Sequence, residues 1–320
     1  MNAIDVKNLT KVYREFRMPD VVALDSVTFS VAYGDIYGFL GPNGAGKTTT
    51  INILAGIIMP TSGEAWIDGH NVVDESDEVK NVVGILPEKP GFYETLNGYE
   101  VLDYYGALNG IPREERRKRI KELMEELGLA QYRKMRVKAY SHGMRKRLAL
   151  AQALLHEPKI TIMDEPTNGL DPAGIVYFRR LIKRLNREGI TIFLSSHILS
   201  EVELLCNSVG IINRGKMVIT GNVGDVKKKL KISRSKYIML GEITKDFVSE
   251  ALNTKGVLDV RQINSGYEII LDPEVSPCPD LVRMAVEQGC KITSFYSYEP
   301  TLEEIFLEMT GSDDGGEKGV

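Results

Sequence analysis

Short runs of β-branched and aliphatic residues recur along the first two thirds of the chain, at residues 27–31, 36–40, 82–86, 159–163, 190–194 and 209–212. Stretches with helical spacing separate them, and strands alternating with helices predict an α/β fold built on a mainly parallel sheet. The rhythm breaks after Gly98. From there to Tyr140 strand runs are absent, and charged residues surround Ile120, Leu123, Met124 and Leu127 at three- and four-residue spacing. That pattern predicts amphipathic helices, and we read residues 98–150 as a helical insertion. A second change comes at the basic run KKKLKISRSK, residues 227–236. Beyond it the pattern reads strand (237–240), helix (244–253), strand (257–263), strand (267–271), helix (278–288) and strand (291–298). This βαββαβ order predicts a small α+β domain of the ferredoxin-like kind. A helix is expected over residues 301–309, with Leu302, Ile305, Phe306 and Met309 on one face. The closing SDDGGEKGV is polar and glycine-rich enough for a disordered tail. The expected organisation is a first domain over residues 1–222, a linker over 223–235, an accessory domain over 236–311 and a tail over 312–320.

Composition adds limits rather than a function. A chain of 320 residues exceeds the roughly 250 residues at which one hydrophobic core stops growing, so two domains are expected. A net charge of −4 gives no support to nucleic-acid binding. The longest apolar runs fall far short of the ~18 residues that a membrane span needs. Asp5 and Lys7 interrupt the N-terminal stretch where an export signal needs an apolar core, so a cytoplasmic chain is expected. Cys206, Cys278 and Cys290 are odd in number and scattered, which fits reduced thiols.

The chemistry is concentrated in a few motifs. Gly41-Pro42-Asn43-Gly44-Ala45-Gly46-Lys47-Thr48 follows an apolar strand and opens a helix, the context that a phosphate loop requires. Glycines allow the backbone to curl so that successive N–H groups and a helix N-terminus converge on a β-phosphate. Lys47 is then suited to the β- and γ-phosphates, the Thr48 hydroxyl to Mg2+ and Thr49 to the α-phosphate, so ATP and Mg2+ are the expected ligands. A second motif, KITIMDE at residues 159–165, delivers two carboxylates to the end of an apolar strand. Side chains alternate along a strand, so the two acids face different tasks. Asp164 is suited to the Mg2+ shell and Glu165 to polarising the attacking water.

These motifs, with several others in the same order, resemble the nucleotide-binding subunits of ATP-binding cassette (ABC) transporters over residues 1 to about 222. Tyr13 resembles the aromatic that stacks on adenine, and Tyr140-Ser141-His142-Gly143-Met144 stands where the family signature LSGGQ is found. Residues 167–171, ending in Asp171, resemble the loop after the acidic pair, and Ser195-Ser196-His197 resembles the histidine switch. The resemblance implies an ABC cassette of the phosphate-loop NTPase class, with a RecA-like sheet lobe and a helical lobe. It also implies an ATP-driven head-to-tail dimer, in which Ser141 and Gly143 of one copy touch the γ-phosphate held by Lys47 of the other. The second copy is either an identical chain or a paralogous ATPase subunit.

Three departures from the family pattern bear on the expected site. His142 replaces a glycine, Met144 replaces a glutamine, and Glu88 replaces a glutamine that senses Mg2+ and γ-phosphate. A carboxylate binds Mg2+ more strongly than an amide, so tighter metal dependence is expected. Such variants, and the ending of the accessory domain (residues 299–311), are similar to the branch that exports drugs, sodium or polysaccharides through separately encoded membrane permeases. The expected location is the cytoplasmic face of the cell membrane, as a peripheral subunit. Docking is expected after Glu88, where Phe92 and Tyr93 supply aromatic anchors. The competing expectation is a soluble ABC ATPase with no transport role. Translation-type members of that class usually carry two cassettes, whereas this sequence shows one phosphate loop.

Overall fold

The computed structural model describes residues 2–14, 19–231, 235–272, 275, 277–298 and 301. It divides into two compact units, residues 1–222 and 223–320.

The first unit opens with β1 (Asn2–Tyr13), β2 (Val21–Ala32) and β3 (Ile36–Leu40), followed by α1 (Lys47–Leu54), β4 (Ser62–Ile67) and β5 (His70–Asn71). Next come α2 (Ser76–Val82), β6 (Val83–Leu86), α3 (Gly98–Leu108), α4 (Arg113–Glu126) and α5 (His142–Ala153). It closes with β7 (Ile160–Met163), α6 (Pro172–Arg187), β8 (Thr191–Ser196), α7 (Leu199–Leu205), β9 (Ser208–Asn213) and β10 (Lys216–Asn222). Two sheets carry it. One is antiparallel, in the order β2-β1-β4-β5; the other is six-stranded, in the order β10-β9-β3-β8-β7-β6. Within the larger sheet every pairing is parallel except that of β10 with β9. Residues 27–31, read from sequence as one more strand of the parallel rhythm, belong instead to β2 of the antiparallel sheet. There Val27, Phe29 and Val31 are buried and the residues between them are exposed. Such alternation belongs to a sheet with one face in the core, unlike β3 and β7, which are buried at every position.

Four rings join the sheets. Phe29 of β2 packs on Tyr37 and Phe39 of β3 and on Phe193 of β8, with centroids 5.3 to 5.9 Å apart. Tyr37 and Phe193 are stacked at 5.7 Å, and the Tyr37 hydroxyl is satisfied by Thr220 Oγ1 at 2.8 Å. β3 also has a residue without a side chain where α7 crosses it. A Cβ on Gly38 would run into Val202 Cγ1 and lie 3.0 Å from Cys206 Sγ.

The helical insertion consists of α3, α4 and the start of α5. Asn97 caps α3 with a reciprocal Glu100 capping box, and Ile120, Leu123, Met124 and Leu127 are buried, as their spacing requires.

The second unit contains α8 (Val223–Lys231), β11 (Ser235–Glu242), α9 (Lys245–Asn253), β12 (Val257–Ile263), β13 (Gly266–Leu271), α10 (Cys278–Glu287) and β14 (Lys291–Ser297). Its sheet runs β12-β13-β11-β14 with all neighbours antiparallel, the ferredoxin-like arrangement. Met239, Phe247, Ile269, Leu271 and Leu281 form its core. Residues 223–231 are helical, although the sequence reading assigned them to a linker over 223–235. Val226 is buried and Asp225 sits in the first turn, where a carboxylate complements the helix dipole; the lysines that suggested a linker are ordinary helix formers. The helix expected over 301–309 and the tail over 312–320 lie outside the described residues, apart from Thr301.

Phe193 sits at the centre of the inter-sheet cluster and is fully buried. Phe193→Ala is expected to lower unfolding free energy by about 3 to 5 kcal/mol, measured from the denaturation midpoint of the full chain.

Candidate functional site

Three parallel strands, β3, β8 and β7, lie side by side and release their chemistry at their carboxyl ends, where open α/β sheets bind ligands. β3 ends at Leu40 and α1 starts at Lys47, so the phosphate loop is the turn between them. Gly46 caps α1 with φ 110°, a left-handed value that disfavours any side chain. A Cβ there would also lie 2.7 Å from the Ala23 carbonyl oxygen. The unshared N–H groups of the first turn of α1 and the curled loop thus form an anion cradle. Lys47 is nearly buried. Its Nζ donates to the Gly41 carbonyl at 2.7 Å and lies 3.6 Å from Glu165 Oε1.

β7 carries the acidic pair. Asp164 N–H donates to the Leu86 carbonyl at 2.8 Å, extending the ladder with β6 by one residue. Its Oδ1 accepts from Ser195 Oγ at 2.5 Å and its Oδ2 from Thr48 Oγ1 at 3.2 Å. Burial raises the Asp164 pKa; the two hydroxyl bonds oppose the rise, and the nearby Glu165 and Glu88 charges add to it. Glu165 turns the other way. It has φ 46°, its N–H donates to Ser195 Oγ at 2.9 Å, and its Oε2 lies 2.9 Å from His197 Nδ1. Ser195 therefore serves both acids at once. The side chains of the pair diverge, Asp164 toward Thr48 and Glu165 toward the gap between Lys47 and His197.

A cavity of about 370 Å³ occupies this corner, lined by Ala23, Pro42, Asn43, Gly44, Gly46, Lys47, Thr48, Thr49, Glu88, Glu165, Asn168 and His197. The hydroxyl of Thr48 and the carboxylates of Asp164 and Glu88 are all oxygen donors. This set fits Mg2+, which takes one or two protein oxygens and completes its shell with water and phosphate.

Other predicted residues stand elsewhere. Tyr13, at the end of β1, is 41% exposed with Lys11 Nζ 5.2 Å above its ring, and is not among the residues lining this cavity. Ser141, Gly143 and Asp171 line a different cavity, of about 490 Å³, beside His142, Leu170 and Tyr177. Ser141 Oγ caps α5 by accepting from Met144 N–H at 3.3 Å, and Asp171 Oδ1 caps α6 by accepting from Gly174 N–H at 2.9 Å. A single chain thus keeps the phosphate cradle and the Ser141 turn in two separate places.

Two further residues belong to this corner, and no motif role points to them. Asn168 lines the first cavity, and its Nδ2 donates to Glu88 Oε1 at 3.2 Å. Lys146 is fully buried and its Nζ donates to the Glu165 carbonyl at 2.6 Å. A signal for Lys146 exists: it shares a helix face with the buried Ala149, Leu150 and Ala153, where a lysine is out of place.

Fold and site together define a phosphate-loop nucleotide cassette with an appended α+β unit. Residues 24–168 match the ABC transporter family, and residues 221–310 match the C-terminal domain of DrrA1-3-like ATP-binding proteins. The chain is 37% identical over 310 residues to an uncharacterized ABC transporter ATP-binding protein, YhcH of Bacillus subtilis (strain 168), covering 96% of both. It is 37% identical over 316 residues to the bacitracin transport ATP-binding protein BcrA of Bacillus licheniformis, covering 96% of this chain and 97% of that protein. Among solved structures, an ATP-binding subunit of an ABC transporter superposes with a TM-score of 0.64 at 30% identity, covering 71% of this chain and 93% of that one. A dimeric ATP-binding cassette in a post-hydrolysis state with ADP and Pi gives a TM-score of 0.62 at 26% identity, covering 69% and 98%. The chain belongs to the ATP-binding subunits of ABC transporters. Members of this family bind ATP and hydrolyse it.

Ser195→Ala removes a donor to a buried carboxylate and the acceptor of a buried N–H together. The expected result is a loss of about 1 to 3 kcal/mol for the unsatisfied groups, measured by chemical denaturation without nucleotide. Unchanged stability would show that neither bond contributes.

Proposed function

We propose that this chain is the motor subunit of an exporter: two nucleotide-binding subunits close around ATP, hydrolyse it and reopen, driving a separate membrane permease. The observation that carries the reading is the placement of the Glu165 carboxylate between Lys47 Nζ and His197 Nδ1, at 3.6 and 2.9 Å, facing the cavity under the glycine loop.

In this scheme the phosphate cradle and Lys47 hold the β- and γ-phosphates, and Thr49 the α-phosphate. Glu165 accepts a proton from the water that attacks the γ-phosphorus, while the bond from that phosphorus to the bridging oxygen breaks and ADP leaves. His197 holds the Glu165 carboxylate through Nδ1 and steadies the phosphoryl group as it transfers. Thr48, Asp164 and Glu88 would hold magnesium, which would supply positive charge to the phosphate oxygens. Tyr13 stacks on the adenine, from a position at the end of β1 outside the lining of the phosphate cavity.

The separation of the two cavities supports the dimer. Ser141 and Gly143, and Asp171 beside them, cannot serve the cradle of their own chain, and a second copy or a paralogous ATPase subunit presents them across the interface. Among the described residues no helix is long and apolar enough to cross a membrane. Likeness over nearly the full length to transport ATP-binding proteins favours a permease partner over the soluble alternative, and in this reading the subunit works peripherally at the cytoplasmic face. A nucleic-acid partner has no support in the charge balance. Phe92 is half-buried and Tyr93 is exposed, set edge-on to Tyr104 at 5.7 Å, which suits a protein contact after Glu88.

Glu165→Gln is expected to retain ATP while hydrolysis falls by about 100- to 10,000-fold, measured as phosphate release beside equilibrium nucleotide binding. Hydrolysis at the parental rate rejects Glu165 as the base. Phe92→Ala is expected to leave ATP binding intact and to weaken copurification with the permease; equal recovery of the complex from detergent counts against this docking site.

A further inference from the structure

α5 carries a fully buried cation. Moving an ammonium group out of water is costly unless something holds it, and burial lowers the Lys146 pKa to about 8 while Glu88, Glu165 and Asp164 pull the other way. Its Nζ donates not to a side chain but to the main-chain carbonyl of Glu165, at 2.6 Å. Glu165 adopts a left-handed φ of 46°, a conformation that persists for a non-glycine residue only where surrounding contacts impose it.

One turn earlier on the same helix face, a ring nitrogen of His142 lies 3.2 Å from the Asn168 carbonyl. The ring is also packed on the loop, since a Cβ on Gly169 would stand 3.0 Å from His142 Nε2. Asn168 closes the circuit: its N–H donates to the Glu165 carbonyl at 3.2 Å and its side chain to Glu88 at 3.2 Å. The loop from Glu165 to Asn168 is thus held at both ends by α5, and α5 begins at the Ser141 cap.

We propose that α5 is a two-point clamp, with Lys146 on the Glu165 carbonyl and His142 on the Asn168 carbonyl, that ties the direction of the Glu165 side chain to the Ser141–Gly143 turn. Lys146 and His142 are positioning residues in this arrangement. The clamp gives each chain a physical link between the turn it offers to a second copy and the carboxylate it aims at its own nucleotide. Its functional meaning rests on the reading of Glu165 and Ser141 above; its geometry does not.

Amide exchange and kinetics of the full chain test it. Lys146→Met removes the donor but keeps an unbranched apolar stem, and His142→Gly restores the residue usual in the family. Without nucleotide, amides over residues 165–170 are expected to exchange at least about tenfold faster in both variants, as local opening becomes easier. Nucleotide affinity is expected to stay within about threefold of the parent while kcat falls at least about tenfold in Lys146→Met, the pattern of lost positioning rather than lost binding. Parental exchange over residues 165–170 in both variants overturns the clamp, as does a fall in kcat matched by a fall in melting temperature and affinity. If Lys146→Met fails to fold, His142→Gly decides alone, and parental exchange there rejects the proposal. A parent that neither binds nor hydrolyses ATP defeats the functional reading instead, while the exchange result still decides the clamp.

Discussion

A carboxylate removed from water must be held by donors, and the arrangement around Asp164 follows from that constraint. Its two oxygens are claimed by hydroxyls from different elements, Ser195 near the end of β8 and Thr48 in α1. Those bonds fix three neighbours at once: the acidic end of β7, the end of β8 that leads to His197, and the first turn after the glycine loop. Because β3, β8 and β7 are hydrogen-bonded neighbours, their termini arrive at one edge, and the short polar side chains need to span only a few ångströms. The same serine that donates to Asp164 accepts from Glu165 N–H, so the two acids cannot shift independently.

Much of this was legible in the sequence where a local rule and a chemical rule agreed. The glycine loop was readable because close backbone approach to β2 and a left-handed cap allow no side chain at Gly46. The acidic pair was readable as a candidate because an apolar strand delivers two carboxylates to a sheet's carboxyl edge, where α/β sheets bind ligands. The βαββαβ unit was readable from period and length alone.

What escaped depends on distant partners. Membership of β2 in a separate sheet is decided by its pairing with β1, not by its own alternation. The lysines of residues 227–229 suit an exposed linker and a helix equally well, so composition could not separate the two. Lys146 escaped for a related reason: a lysine inside a run of basic residues, Arg145-Lys146-Arg147, reads as solvated, and only the crossing of α5 behind the Glu165 loop buries it. Asn168 took its importance from Glu88, eighty positions earlier in the chain. Side chains whose partners are main-chain carbonyls leave no complementary residue in the sequence to betray them.

Gly38 shows how far an effect can travel from a place where nothing stands. α7 settles onto β3 at the depth that a single hydrogen permits, with Val202 and Cys206 filling the space a methyl would take. The helix starts two residues after His197. The seating of α7 on the strand beneath thus sits two residues from the imidazole that lines the cavity under the glycine loop, and a glycine sets its depth.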